Sequence, residues 1–355
     1  MRSFVEDGPA ERIVFGTGTI TFVPQELDRL GSTRALVLSG PQLAPLADRV
    51  ADLVGGRAAG TFIKAEMHTP MSITNEAIGV ARDQRADALV SAGGGSTIGL
   101  GKAVASRLGI PHLVLPTTYA GSEVTPLLGE TVDGEKTTRS GPEILPDTVV
   151  YDVELTTTLP WHLTLTSAIN AMAHAVEALY GEQATDATDT EAIDAITSLV
   201  AGLRALHQDA DDLDARADLL YGAWRAGRCL AAVGMGLHHK LCHILGGTFE
   251  LPHAPTHTVV LPYVMAFNAS ATAEAMDRVA EAMRTEDAPT GTQRLVQELN
   301  GPTSLGALGL HRSDIPRAAE LATARPYPNP RPVSRRDIID LLEQAEAGTA
   351  IQVSV

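Results

Sequence analysis

Only two cysteines, Cys229 and Cys242, occur in the 355 residues, so no disulfide framework holds this chain and a reducing compartment suits it. Long hydrophobic runs are missing as well: no uninterrupted apolar stretch approaches the roughly 20 residues needed to span a bilayer. The first residues, Met1 to Asp7, turn acidic at once and contain no apolar signal core. Positive charge is scarce, with 27 Lys and Arg against 43 Asp and Glu and a formal net charge of −16. A nucleic-acid partner would need a cationic surface, which this balance argues against. Repeats and low-complexity tracts are absent. These absences lead to the expectation of a cytoplasmic globular protein without membrane or nucleic-acid partners.

What is present points to two domains, because 355 residues exceed what one hydrophobic core ordinarily organises. The early sequence alternates β-branched runs ("RIVFG", "RALVLSG", "GTFIKA", "ADALVSAGGGS", "PHLVLPTT", "DTVVYD") with helical stretches such as Leu43 to Leu53 and Ser72 to Arg82. That alternation predicts βαβ units and a mostly parallel sheet. After Pro160 the texture becomes Ala-, Leu- and acid-rich with helical periodicity, as in Thr166 to Tyr180, Asp189 to Gln208, Asp214 to Val233, Thr272 to Met283 and Arg335 to Ala347. Residues 1–158 therefore read as an α/β domain and residues 159–355 as an all-helical one. Ser334 is positioned to cap the last helix.

Two loops of the first domain carry chemistry. "SAGGGSTIGLGK" follows a strand and opens a helix, yet it fits neither the dinucleotide fingerprint, since Ile98 stands where the third glycine belongs, nor the P-loop, since Ser96 stands where the first glycine belongs. Successive glycines before a helix N-terminus still allow a phosphate to approach free N–H groups and a positive dipole end. Gly94, Gly95, Ser96 and Thr97 are its candidate contacts, against the plain alternative of a tight strand-to-helix turn. "LPTTYAGSEVTP" also lies just past a strand, where ligands of open α/β sheets bind, and offers the hydroxyls of Thr117, Thr118, Tyr119 and Ser122. Two such loops in one domain favour a nucleotide cofactor.

The helical domain concentrates histidine. "GMGLHHKLCHILGGTFELPHAPTH" holds His238, His239, His243, His253 and His257. His239 and His243 share one helix face, and His253 is expected in the loop beyond. Upstream, Asn170 and His174 share a face of another helix. If these helices meet, the imidazoles of His174, His239 and His253 gather, with His243 beside them, and suit either a metal or proton handling, with neutral Asn170 as a poor fourth ligand. His238 points to a different face from His239, as a structural residue or a substrate contact; Lys240 could supply charge to an anionic substrate or equally stand in solvent; and Cys242 suits simple packing.

Taken together, the GGGS loop at Gly93 to Ser96, the P-T-T loop at Pro116 to Thr118, the pair Asn170 and His174, and the set His239, His243 and His253 resemble the iron-containing alcohol dehydrogenase superfamily over nearly the whole chain. "NAMAHAVEALY", "TTYAGSE", "GMGLHHKLCHILGGTF", "LPHAPTH" and "YPNPRPV" resemble one branch of it, in which Asn stands at the position of a metal-binding Asp. The resemblance implies an α/β dinucleotide-binding domain, an all-helical domain, a homodimer, and NADH or NADPH as hydride donor. It also implies reduction of the C=C bond of maleylacetate, a 4-oxo-2-enedioate, to 3-oxoadipate without a metal. With Asn170 in place of the Asp, His174, His239 and His253 would stabilise an enolate as hydrogen-bond donors, His243 would relay a proton, and His238, Lys240, Tyr119 and His257 would face the dicarboxylate. Lys136 matches a superfamily lysine close to the cofactor. Ser39 stands at the end of the second strand, where an acid would repel a 2′-phosphate, so NADH use with tolerance of NADPH is expected. Pro255 and Tyr263 depart from the branch pattern and mark where the substrate would differ, another 4-oxo-2-enoate being the alternative. A metal-dependent alcohol dehydrogenase on the same fold is the second alternative.

Overall fold

Valine, isoleucine and leucine fill the short strands, and glycine or a polar residue ends most of them, so the first unit lays down strands buried on both faces. The structure, a computed structural model, describes residues 2–7, 12–132 and 135–351. By their contacts the residues fall into two units, Met1–Leu159 with Asp211–Leu220, and Pro160–Ala210 with Tyr221–Val355.

The first unit contains β1 (Phe4–Asp7), β2 (Arg12–Gly16), α1 (Val23–Arg29), β3 (Ala35–Leu38), α2 (Ala44–Val54), β4 (Ala58–Phe62), α3 (Met71–Asp83), β5 (Ala88–Gly93), α4 (Gly95–Leu108), β6 (His112–Pro116), β7 (Leu127–Val132), β8 (Glu135–Ser140) and β9 (Thr148–Asp152). Seven strands form one sheet in the order β1-β2-β9-β6-β5-β3-β4, parallel except for the edge pair β1·β2. Alternate residues face opposite sides. Val37 and Val90 pack with Val23, Leu27 and Val50 of α1 and α2, whereas Leu36 and Leu89 pack with Ala77, Ala81, Leu100 and Val104 of α3 and α4. Helices thus cover both faces, the doubly wound arrangement that βαβ units impose. The chain leaves β3 toward β4 on one side and leaves β5 toward β6 on the other, so the winding reverses between β3 and β5. Ligands of open α/β sheets bind outside the carboxyl ends of strands at such a switch point. The sequence reading missed β1, which has four residues, and the β7·β8 hairpin, whose "LLGETV" and "EKTTRS" carry too much charge and glycine to read as strand.

The second unit is helical: α5 (Trp161–Ala178), α6 (Asp186–Gln208), α7 (Leu213–Val233, whose first turns group with the first unit), α8 (Leu237–Thr248), α9 (His253–Asn268), α10 (Ala273–Met283), α11 (Ala288–Glu298), α12 (Ile315–Thr323) and α13 (Arg335–Ala347). Helix α5 is buried on every side from Thr164 to Ala178, which its run of Ala, Ile, Met and Val permits. A second core joins α8, α9, α12 and α13 through Leu241, Leu245, Val260, Val264, Ala318 and Leu342. Ser334 caps α13 as expected, in a reciprocal box with Asp337. His253 is not in a loop: Pro252 ends the preceding turn and His253 is the first residue of α9. Among the described residues, no helix is long and apolar enough to cross a membrane.

Candidate active site

The glycine loop sits at the switch point. β5 ends at Gly93, Gly94 precedes the first turn of α4, and no side chain caps that helix. A Cβ on Gly93 would lie 2.4 Å from Thr97 Oγ1, and one on Gly94 would lie 2.8 Å from Thr118 Cγ2. Packing alone therefore demands glycine at both positions. Gly95 is different: a Cβ there would meet nothing within 4 Å. Two glycines seat the turn and the third keeps an exposed approach to the N-terminus of α4 open, which fits a pyrophosphate. Ser96 is half-buried beside it, and Thr97 is buried under Gly93. The second loop is tied to the first, because the Thr117 amide donates to the Gly93 carbonyl at 3.1 Å.

Three residues expected at the cofactor do otherwise. Ser39 is fully buried and donates its hydroxyl to the Ala92 carbonyl at 2.7 Å, which cross-links β3 to β5 instead of facing a ribose. Tyr119 is fully buried; burial raises its phenol, which faces Thr156 and Arg216 inside the protein. Ser122 turns its carbonyl to the Lys102 ammonium while its hydroxyl, buried in a half-buried residue, has no partner. Lys136 lies in β8, and its side chain falls outside the described residues.

In the second unit, α5 brings Asn170, His174 and Glu177 to one face, since they stand four and three residues apart. Glu177 organises the start of α8. Its carboxylate accepts from the amides of Gly236 (3.1 Å), His238 (2.7 Å) and His239 (3.4 Å), and from His239 Nδ1 at 2.6 Å. Burial opposes its ionisation, but the hydrogen bond from His239, the charges of His239 and His238 and the Gly236 amide outweigh burial and hold the carboxyl down at about 2. The anion also complements the positive end of α8. With Nδ1–H engaged by Glu177, His239 has Nε2 as its remaining nitrogen, buried and without a partner.

The other imidazoles surround it. His174 stacks on His239 with ring centroids 5.0 Å apart, and burial followed by the neighbouring histidines keeps it well below the usual histidine value. His239 is 6.1 Å from His243 and 5.0 Å from His257, and His253 is 4.4 Å from His257, all between centroids. Exposure is graded: His243 and His253 are exposed, whereas Asn170 and His174 are buried, with Asn170 Oδ1 and His174 Nδ1 unpartnered. His238 and His257 lie deeper, with no exposure at all, and bond to each other at 2.9 Å. These two were expected to face substrate; instead they support the cluster from beneath, and burial first, then neighbouring His239, pushes His238 down to about 3. Lys240 extends over the Tyr327 ring at 5.8 Å. Tyr263, expected beside the site, donates its hydroxyl to the Thr349 carbonyl at 2.8 Å and packs into the core of α8, α9, α12 and α13.

Glu177 was missed from the sequence, although it follows His174 by three residues in "NAMAHAVEALY" and the helical spacing alone marks its face. The donor set suits a divalent metal poorly: Asn170 offers a neutral amide oxygen where a carboxylate would balance charge. His238, Cys242 and His257 bring ligand atoms within 4.8 Å of one another, but the 2.9 Å hydrogen bond already engages the two imidazoles.

Residues 10–153 match the family model described as iron-containing alcohol dehydrogenase, and residues 164–346 match the C-terminal model of the Fe-containing alcohol dehydrogenase family. The chain belongs to the iron-containing alcohol dehydrogenase family, whose members depend on NAD(P). Within it, the chain is 51% identical to maleylacetate reductase 1 of Rhodococcus opacus over 345 residues, 97% of each protein. It is 47% identical to the maleylacetate reductase of Burkholderia cepacia over 98% of this chain and 99% of that one. The crystal structure of maleylacetate reductase from Rhizobium sp. strain MTP-10005 superposes with a TM-score of 0.93 at 47% identity, covering 99% of both chains.

Proposed function

We propose that this protein reduces the C2=C3 bond of maleylacetate to give 3-oxoadipate, in the degradation of aromatic compounds, with NADH or NADPH as donor and without a metal. The observation that carries the metal-free reading is Asn170 facing a histidine cluster whose charge balance comes from Glu177. The kinship with maleylacetate reductases supports the substrate.

Residues 1–158 hold the cofactor, through Gly94, Gly95, Ser96 and Thr97 with Thr117 and Thr118 alongside; residues 159–355 hold the substrate. The nicotinamide supplies hydride when bound. Addition at C2 of an enone whose ketone is C4 moves electron density onto the ketone oxygen, and that enolate is what the protein must stabilise. His239 is pre-aimed for this as the imidazolium, which donates from both nitrogens: Nδ1–H to Glu177 and Nε2–H to the enolate oxygen. Neutral His174 and the Asn170 amide add donors, and His253 completes the array. His243, exposed at the rim, relays the proton that C3 takes as the enolate collapses. With no acid at position 170, the pocket keeps a more positive potential for a dicarboxylate, and Lys240 adds to it.

NADH is the expected donor with NADPH tolerated; Ser39, buried against β5, does not decide between them. The enzyme works as a cytoplasmic homodimer. The test is NADH oxidation with maleylacetate after exhaustive dialysis against EDTA: activity is retained. Loss to the chelator with recovery on adding Zn²⁺ or Fe²⁺ would overturn the metal-free mechanism. Other 4-oxo-2-enoates and simple aldehydes assayed alongside establish the substrate class.

A further inference from the structure

The pair Gly101-Lys102 invites comparison with a phosphate-binding lysine, yet the Lys102 side chain turns inward. It is 2% exposed, and its ammonium donates to the carbonyls of Ser122, Thr125 (2.7 Å) and Leu127 (3.0 Å), with Thr125 Oγ1 at 3.2 Å. A lysine has three N–H donors, so the ammonium is fully engaged by the protein's own main chain. Gly101 makes this possible: a Cβ there would stand 2.1 Å from Ser91 Oγ and 2.3 Å from His112 Nε2, so only glycine lets α4 seat against β5 and β6 at this level. The titratable groups around the ammonium are Glu123, which accepts from Tyr151 at 2.8 Å, and His112, bonded to Ser91 at 2.8 Å.

We propose that Lys102 is a positioning residue for cofactor binding, whose buried ammonium pins the segment Ser122–Leu127 onto α4 and so fixes the second loop against the glycine loop. The proposal rests on the reading of Gly93 to Thr97 as the cofactor cradle. Two turns separate Lys102 from Gly95 on the same helix, and four residues separate Thr118, which packs against Gly94, from Ser122. The lysine therefore holds both sides of the cradle from behind. A methionine of similar length would fill the space without burying a charge, and buried charge is costly to maintain. Burial pushes the ammonium down to about 7 against the opposing pull of Glu123.

The test uses the full-length protein and fluorescence titration with NADH. In Lys102→Met the Kd for NADH rises tenfold or more and KM for NADH rises with it, while kcat at saturating NADH stays within threefold. A purely structural lysine would lower Tm but leave the Kd of the folded protein unmoved. Folded Lys102→Met that binds NADH within twofold of the parent overturns the proposal. Should that variant fail to fold, Thr125→Ala removes one acceptor and the Thr125 hydroxyl bond to the Ser122 carbonyl at 2.9 Å. It should weaken NADH two- to fivefold, and an unchanged Kd again overturns the idea. Gly95→Asp separates the two readings: if it binds NADH as the parent does, the cradle itself is wrong and the proposal falls with it. If Gly95→Asp abolishes binding while Lys102→Met does not alter it, the lysine alone is misassigned.

Discussion

The glycine loop and the histidine cluster are built in opposite ways. The loop presents main chain: Gly93 and Gly94 are glycine because a Cβ has no room, and Gly95 leaves open space beside the N-terminus of α4. The cluster works through side chains, several of whose polar atoms (His174 Nδ1, His239 Nε2, Asn170 Oδ1) lack partners although buried. Unsatisfied buried polar atoms cost stability, and proteins keep them where chemistry needs them. One site is therefore broken by adding atoms and the other by removing them.

The largest expected effect comes from removal. His239→Ala should lower kcat by on the order of 10²–10³, the usual loss for one donor to a developing oxyanion. The NADH Kd should stay within twofold; if binding and turnover fall together, the two sites do not divide the labour between them. Glu177→Gln keeps the shape but weakens the anchor of His239, and misoriented support of this kind costs about 10–100-fold. Steady-state kinetics with circular dichroism tests it, and kcat unchanged in a folded variant would remove Glu177 from the mechanism. Addition is milder: Gly94→Ala places a methyl 2.8 Å from Thr118 Cγ2, and KM for NADH should rise about tenfold, equivalent to ~1.4 kcal/mol, with little change in saturated turnover.

Protonation distinguishes the regions least. His112 in the first unit and His238 in the second are both held near 3, against an ordinary 6.5, first of all by burial. The folded protein binds fewer protons than the unfolded chain between those values, so stability is lost as pH falls from about 6.5 toward 3. Glu177, lowered to about 2, extends the loss below its ordinary 4.5. Thermal melts at pH 7.5 and 5.5 should show Tm dropping about 2–4 °C for each kcal/mol lost, and a Tm that rises on acidification would contradict it.

Much of this division is legible in the sequence. Glycine runs, β-branched strands and clustered histidines are local signals, and α13 begins and ends where periodicity and Ser334 predict. What escapes are facts of direction and depth. Lys102 turning inward, Ser39 bonding to the next strand, and His238 and His257 facing each other all depend on packing between segments far apart in the chain. Glu177 escaped because an acid in a helix reads as surface until its partners, 59 to 62 residues away, are known. The β7·β8 hairpin escaped because charged strands outside the main sheet lack the alternation that betrays the others.

The Glu177 carboxylate also bears on how the site comes into being. Helix α8 has twelve residues, too few to persist alone in water, and its leading amides are satisfied by a carboxylate on a helix much earlier in the sequence. The histidines of α8 are placed against His174 only once α8 packs its first turn on Glu177 of α5. The imidazole array thus exists only where α5 and α8 meet, and a chain in which they have not met carries its histidines without a site.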